Sequence, residues 1–142
     1  MDIRYQIIEE ARRWKGTPYR HQGRLLGSGC DCAGLVIKVR ESLFGVPDKW
    51  DKNYSRLPSN WNIKRLMDRE FIQINFSEID IGDILLLKIV SEPQHVGIVS
   101  PYSDRSFGMI HCYSSMGKVV EHRFNKVWAD RVVQAYRMPE VL

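Results

Sequence analysis

The stretch Gly29-Cys30-Asp31-Cys32-Ala33-Gly34-Leu35 joins a glycine-rich segment to a segment of helical periodicity. Residues 23–30 contain three glycines and are predicted to form a loop. Asp31 stands where a helix N-cap belongs, and from Cys32 to about Phe44 apolar side chains recur at helical spacing. A helix that begins at Cys32 is therefore the element around which we place the rest of the chain.

Two further helices are predicted on either side of this one. Residues 2–14 carry an apolar stripe with Asp2 as a possible cap, and residues 60–71 carry another with Ser59 as a possible cap. Between the second and third helices, residues 45–58 are polar and contain two prolines, so we expect a long surface loop. The first half of the chain is thus mainly helical.

After residue 71 the apolar pattern changes from a helical period to the period of two that strands show. Helices followed by strands indicate an α+β domain, in which N-terminal helices pack on a C-terminal antiparallel sheet. A turn is predicted at 91–94, and the strands are expected to form a meander. The predicted strands are 84–90, 95–100, 107–113, 118–124 and 131–137.

Composition limits what kind of protein this is. The 142 residues are 44% hydrophobic and 27% charged, which predicts one globular domain over 1–142. The net charge of +4 is concentrated in the first half of the chain. These basic residues form either a solvated surface or a face for an anionic polymer, and they do not indicate nucleic-acid binding.

No signal peptide or membrane-spanning run is recognisable, so we expect synthesis in the cytoplasm. Three cysteines, an odd number, argue against a disulfide framework.

Cys32 is the main candidate for chemistry. The unpaired N–H groups and the dipole at a helix start favour a negative charge, so the position is expected to lower the pKa of the thiol. The same N–H groups can hold an oxyanion, which suits attack on a carbonyl. The alternative is an inert, buried cysteine, and the local pattern alone leaves both interpretations open.

Two histidines on neighbouring predicted strands could complete such a site. His95 is a candidate general base, and His111 could bond its far nitrogen and fix its tautomer. His21, in the loop before Cys32, is expected to line the cleft, whereas His122 is interpreted as a surface or edge residue. A zinc site from Cys30, Cys32, His111 and Cys112 is disfavoured because the spacing is unusual and residues 111 and 112 point to opposite faces of a strand.

Five short motifs, taken together in order, resemble the NlpC-type cell-wall cysteine peptidases, a papain-like family. They are Gly16-Thr17-Pro18-Tyr19, Gly29-Cys30-Asp31-Cys32-Ala33-Gly34-Leu35, Gly82-Asp83, His95-Val96-Gly97-Ile98-Val99 and Ile110-His111. The segments Tyr19-Arg20-His21-Gln22 and Val119-Val120-Glu121-His122 resemble the compact branch found in phages and prophages, which is associated with tails.

The resemblance implies roles for individual residues. Cys32 would be the nucleophile, His95 the base and His111 the orienting third residue. Tyr19 would lean over the thiol and help bind substrate or oxyanion, and Asp31 would help bind a substrate amine. Many members have serine directly after the nucleophile where this chain has Ala33, which removes a hydroxyl from the site that binds that amine.

The resemblance also implies a substrate and a setting. The substrate would be a peptidoglycan stem peptide, cut between γ-D-glutamate and the diamino acid, with no metal or cofactor. The protein would act on the cell wall, delivered by a route such as a phage tail, with tail proteins as partners. Two alternatives stay open: a structural tail-tip or assembly protein that keeps the fold, and another thiol amidase or acyltransferase.

Overall fold

The computed structural model describes residues 2–45, 61–89 and 92–141. Within these ranges the helices are α1 (Ile3–Arg13), α2 (Cys32–Phe44), α3 (Trp61–Glu70) and α4 (Lys126–Ala129). The strands are β1 (Arg24–Leu25), β2 (Gly29–Cys30), β3 (Ile72–Ile74), β4 (Ile84–Ile89), β5 (Glu92–Pro101), β6 (Phe107–Tyr113), β7 (Lys118–Arg123) and β8 (Val132–Arg137). The predicted α+β class is confirmed.

The three main helices form where capping and periodicity predicted them. Asp2 accepts a hydrogen bond from the backbone of Arg4 and begins α1. Asp31 caps α2, which starts at Cys32 and ends at a left-handed Gly45. Of the predicted loop at 45–58, residues 46–58 lie outside the described part of the chain, as does the predicted cap Ser59.

Six strands pair in the order β3-β8-β4-β5-β6-β7, every neighbouring pair antiparallel. The predicted meander holds from β4 to β7, but β8 returns to the other side of β4, and the edge strand β3 was not predicted. The reason lies in β4, where Ile84, Leu85, Leu86 and Leu87 are all fully buried. A strand buried on both faces takes the centre of the sheet and needs a partner on each side.

Two local predictions were wrong. The predicted turn at 91–94 is strand from Glu92 onward, because a register shift between Leu87 and Lys88 accommodates Pro93 opposite Lys88 near the start of β5. The predicted loop at 23–30 contains a two-stranded hairpin, β1 with β2. Residue 91 lies outside the described part of the chain.

The sheet separates two apolar clusters, which we call the helix-side and the outer cluster. The helix-side cluster joins α1, α2 and α3 to alternate strand residues that include Val96, Ile110 and Cys112, and it contains Cys32. The outer cluster contains Val99, Met109 and the α4 residue Trp128. Alternation along β5 and β6 therefore puts the side chains of His95 and His111 on the same face, as the period of two predicted, and that face is the outer one.

Candidate active site

Asp31 and the first turn of α2 hold Cys32 in place. One carboxylate oxygen of Asp31 accepts from the Gly34 N–H at 2.8 Å, and the other accepts from the Gln22 N–H at 2.7 Å. A Cβ at Gly34 would collide with the carbonyl of Gly23, so only glycine lets the preceding loop lie this close to the helix start. The nucleophile candidate thus sits on a rigid, capped turn.

The thiol of Cys32 is buried, with 7% of the residue exposed. Backbone hydrogen bonds from Val96 and Ala33 favour its thiolate, but burial and the negative charge of Asp31 outweigh them and raise the pKa of Cys32 to about 12. The expectation of a lowered pKa was therefore wrong. Desolvation, which penalises the charged form, is a larger effect here than the helix start.

His95 and His111 lie side by side on β5 and β6. Nε2 of His95 is 2.6 Å from Nδ1 of His111, and both residues are buried. Gly97 permits this approach, since a Cβ there would meet Met109 Sδ at 2.8 Å and His111 Cβ at 3.2 Å. The predicted pairing of these two histidines is present in the structure.

Both imidazoles are uncharged at neutral pH. Burial, with the charges of Arg131 and His122, lowers the pKa of His95 to about 3. Burial, with His95 and His122 as neighbours, lowers the pKa of His111 to about 2. A neutral imidazole can accept a proton, so His95 has the form that a general base requires.

The backbone of β5 links the thiol to the histidines. The Cys32 sulfur lies on the helix side and receives a hydrogen bond from the backbone of Val96, the residue that follows His95. Strand β5 therefore presents an N–H to the thiol and, one residue earlier, the imidazole that pairs with His111.

His122 lies on the edge strand β7, as expected, but its contact with His111 was not predicted from the sequence. Its Nε2 lies 2.7 Å from Nε2 of His111, and its Nδ1 lies 2.9 Å from the carbonyl oxygen of Arg123. The signal was present in the β6–β7 hairpin, which pairs His111 with Val120 and Met109 with His122. Pairing the residues outward on both sides of the turn at Gly117 places His122 diagonally opposite His111, on the same face of the sheet.

Tyr19 lies beside the turn that carries Cys32. Its N–H donates to the Gly117 carbonyl at 2.8 Å, and its strand bridge to Cys30 holds it next to the residues before Cys32. Burial, then the charges of Cys32 and Asp31, raise the pKa of Tyr19 to about 12, so its hydroxyl stays protonated and can donate. His21, two residues further along, is exposed on the same loop.

The other two cysteines are buried and close together. The Cys112 thiol donates to the Cys30 carbonyl at 3.2 Å, and its hydrogen bond to the Cys30 thiol, together with burial, raises the pKa of Cys30. Cys112 belongs to the helix-side cluster, whereas His111 pairs with His95 on the outer face. Cys30 and Cys112 are therefore core residues of the cluster that also contains Cys32.

A family model described as the NlpC/P60 family matches residues 16–137, a span that includes Tyr19, Cys32, His95, His111 and His122. The chain belongs to the NlpC/P60 family. That span covers most of the molecule, from the loop before the nucleophile to the end of β8. No curated protein matches the chain.

Several solved structures of other proteins share the fold at low sequence identity. The NlpC/P60 domain of the peptidoglycan hydrolase SagA is 23% identical, with a TM-score of 0.64 over 95% of this chain and 98% of that chain. The peptidoglycan hydrolase RipB from Mycobacterium tuberculosis is 19% identical, with a TM-score of 0.60 over 94% of this chain and 63% of that chain. A lipoprotein-like NLP/P60 protein from Staphylococcus aureus is 18% identical, with a TM-score of 0.63 over 95% of this chain and 41% of that chain.

Among the residues that the structure describes, no helix combines the length and the apolarity needed to cross a membrane.

Proposed function

We propose that this NlpC/P60 protein is a cysteine endopeptidase that hydrolyses peptidoglycan stem peptides between γ-D-glutamate and the diamino acid. The observation that carries the proposal is the capped, buried Cys32, bonded to β5 beside a neutral His95 that is itself bonded to His111. This brings together a nucleophile at the start of α2, a base on β5 and an orienting group on β6.

The first step is attack by Cys32 on the scissile carbonyl. Because the pKa of Cys32 is about 12 and that of His95 about 3, the resting pair is a thiol and a neutral imidazole. His95 takes the thiol proton as the carbon–sulfur bond forms, so charge separation develops only during the reaction. The imidazolium then protonates the departing amine, the C–N bond breaks and a thioester remains on Cys32.

The second step is hydrolysis of this thioester. His95 removes a proton from water as the water oxygen attacks the acyl carbon, and the same proton returns to the sulfur as the C–S bond breaks. The products are the free thiol, the neutral imidazole and a new carboxylic acid on the glutamyl fragment, which releases its proton to solvent and becomes a carboxylate. His111 holds the ring of His95 in one orientation through both steps.

The remaining site residues would bind the substrate. The Tyr19 hydroxyl, which stays protonated, donates to the carbonyl oxygen as negative charge develops there. Asp31 supplies negative charge next to the thiol and attracts a free amine of the peptide, while exposed His21 lines the approach to the cleft. We propose the cell wall as the place of action and a phage or phage-like particle, with tail proteins as partners, as the route to it.

Product analysis on defined muropeptides tests this proposal. Purified disaccharide tetrapeptides with diaminopimelate or lysine are incubated with wild type, Cys32→Ala and Cys112→Ala, and the products are identified by mass spectrometry. We expect wild type and Cys112→Ala to release the peptide that begins with the diamino acid, and Cys32→Ala to release none. Intact muropeptides with wild type, or equal cleavage by Cys32→Ala, would contradict the proposal.

A further inference from the structure

Three histidine rings form a continuous hydrogen-bonded chain that ends on a backbone carbonyl. His95 Nε2 meets His111 Nδ1 at 2.6 Å, and His111 Nε2 meets His122 Nε2 at 2.7 Å. His122 Nδ1 meets the Arg123 carbonyl oxygen at 2.9 Å. Only His95 and His111 have a part in the proposed peptidase mechanism, so the place of His122 in this hydrogen-bonded chain needs an explanation.

The carbonyl fixes the position of every proton in the chain. A carbonyl oxygen only accepts, so His122 must carry its proton on Nδ1. When His122 is neutral its ring has one N–H, so its Nε2 is an acceptor and His111 Nε2 must be the donor to it. His111 Nδ1 is then an acceptor, and His95 must donate from Nε2. By elimination, Nδ1 of His95 carries no proton.

We propose that His122 is a positioning residue that, through His111, fixes the tautomer of His95 in which Nδ1 is free to accept a proton. This deepens the proposed peptidase function and rests on it for its catalytic meaning. The opposite arrangement, with protons on Nδ1 of both His111 and His95, would satisfy the inner pair equally well but would leave His95 unable to take the thiol proton. The hydrogen bond between His95 and His111 alone does not distinguish the two arrangements. The hydrogen bond of His122 to the Arg123 carbonyl does distinguish them.

Trp128 shields this chain from solvent. Its ring centroid lies 5.0 Å from that of His111, 5.4 Å from that of His122 and 6.4 Å from that of His95, and the residue is buried. Since water reaches the inner rings poorly, they exchange hydrogen bonds with each other rather than with solvent. An unpaired N–H at His111 would cost about 1–3 kcal/mol in such a place, which gives His122 control over the tautomer.

The tautomers can be read directly by long-range ¹H–¹⁵N NMR of the full chain labelled at histidine, since a protonated ring nitrogen and a bare one have distinct signals. At pH 7.5 we expect His95 and His111 to carry their protons on Nε2 and His122 on Nδ1. This readout does not depend on any substrate. A proton on Nδ1 of His95 in the wild-type protein overturns the proposal.

Substitutions at position 122 test the control itself. His122→Gln can accept from His111 and donate to the Arg123 carbonyl, His122→Leu can do neither, and His122→Lys offers only a donor. We expect kcat to stay within threefold in the Gln variant, to fall about tenfold in the Leu variant and to fall further in the Lys variant, with little change in KM. Loss of the hydrogen-bond partners of metal-bound histidines has effects of about this size.

Controls separate positioning from folding and from the proposed function. Lys126→Gln, at an exposed position just after β7, is expected to match wild type in kcat. If a variant melts early, NMR at a temperature where it is folded still shows whether Nδ1 of His95 gains a proton. If wild type cleaves no muropeptide, the peptidase proposal fails, and the NMR spectra and the rate of Cys32 alkylation across the three variants still decide the tautomer proposal. Equal spectra and equal rates in wild type and His122→Leu would overturn it.

Discussion

Cys32 shows two opposing effects whose sizes decide its chemistry. A helix N-terminus stabilises a nearby negative charge by about 0.3–1 kcal/mol at exposed sites. Raising the pKa of the thiol from 9.0 to about 12 corresponds to about 4 kcal/mol in the other direction. Burial therefore prevails, and Cys32 stays a neutral thiol; in the proposed mechanism it loses its proton only when His95 takes it.

The first prediction concerns the charge next to this thiol. Asp31→Asn removes the negative charge that raises the pKa of Cys32, so that pKa falls and the rate of alkylation by iodoacetamide at pH 7.5 rises. The amide oxygen can still cap Gly34, but the Gln22 N–H loses a carboxylate partner, which costs about 1–3 kcal/mol of stability. The check is alkylation rate against pH by mass spectrometry. An unchanged or slower rate would show that Asp31 does not act on the thiol through charge.

A second prediction isolates the Tyr19 hydroxyl. Tyr19→Phe keeps the ring packing and removes only a donor that is protonated throughout the working range. If this hydroxyl donates to the developing oxyanion, kcat falls about 10²-fold, as it does on losing one oxyanion donor elsewhere, with KM nearly constant. Steady-state kinetics on a defined muropeptide measure this. A rise in KM at constant kcat would instead assign Tyr19 to ground-state binding.

At the scale of elements, Asp83 links α1 to the sheet. The residue is fully buried and sits just before β4. Arg137 of β8 donates two bonds to its carboxylate at 2.9 Å, and Arg4 of α1 donates another at 3.1 Å. The Asp80 N–H adds one at 2.8 Å. One side chain thus ties the central strand to its neighbour and to the first helix.

Asp83→Ala should therefore destabilise the fold strongly. It leaves two partly buried guanidinium groups without their carboxylate, and breaking such a pair costs about 3–5 kcal/mol. The matched control is Asp130→Ala, whose exposed pair with Lys126 is worth less than about 1 kcal/mol. Urea unfolding gives both values. Equal losses in the two variants would mean that Asp83 does not link the elements as described.

Elements were predictable from sequence where local chemistry determines them. Capping fixed the start of α2 at Cys32, and the period of two placed His95 and His111 on one face. Strand β3 and helix α4 were missed because each is four residues or shorter and depends on tertiary partners. His122 was missed as a partner of His111 because its role depends on hairpin register across the turn and on the Arg123 carbonyl, neither of which a single-strand pattern contains.

At the scale of the whole molecule, the sheet isolates two histidines from water and so links the stability of the fold to pH. His95 and His111 stay neutral in the folded state down to pH of about 3 and 2, whereas in the unfolded chain their ordinary value is 6.5. Below 6.5 the unfolded state binds protons that the folded state does not. The free energy of unfolding therefore falls as the pH falls, by up to about 1.4 kcal/mol per unit for each histidine.

The carboxylates act in a different pH window. Interactions with Lys64, Arg12 and Arg40 lower the pKa of Asp68, Glu121 and Glu140, respectively, from ordinary values of 3.8, 4.5 and 4.5. A lowered carboxylate pKa gives stability that is present above the ordinary value and lost only as the pH falls through the lower folded value. Between pH 6.5 and 5, the slope therefore reports the buried histidines.

We expect the free energy of unfolding to fall by about 3 kcal/mol between pH 6.5 and 5, measured by urea titration at a series of pH values. In His111→Gln one of the two buried histidines is gone, so the fall should be about half as large. A flat profile in wild type would mean that these rings are hydrated or charged in the folded protein. An equal fall in wild type and variant would place the titrating groups elsewhere, and the neutral resting state required for His95 to act as a base would lose its support.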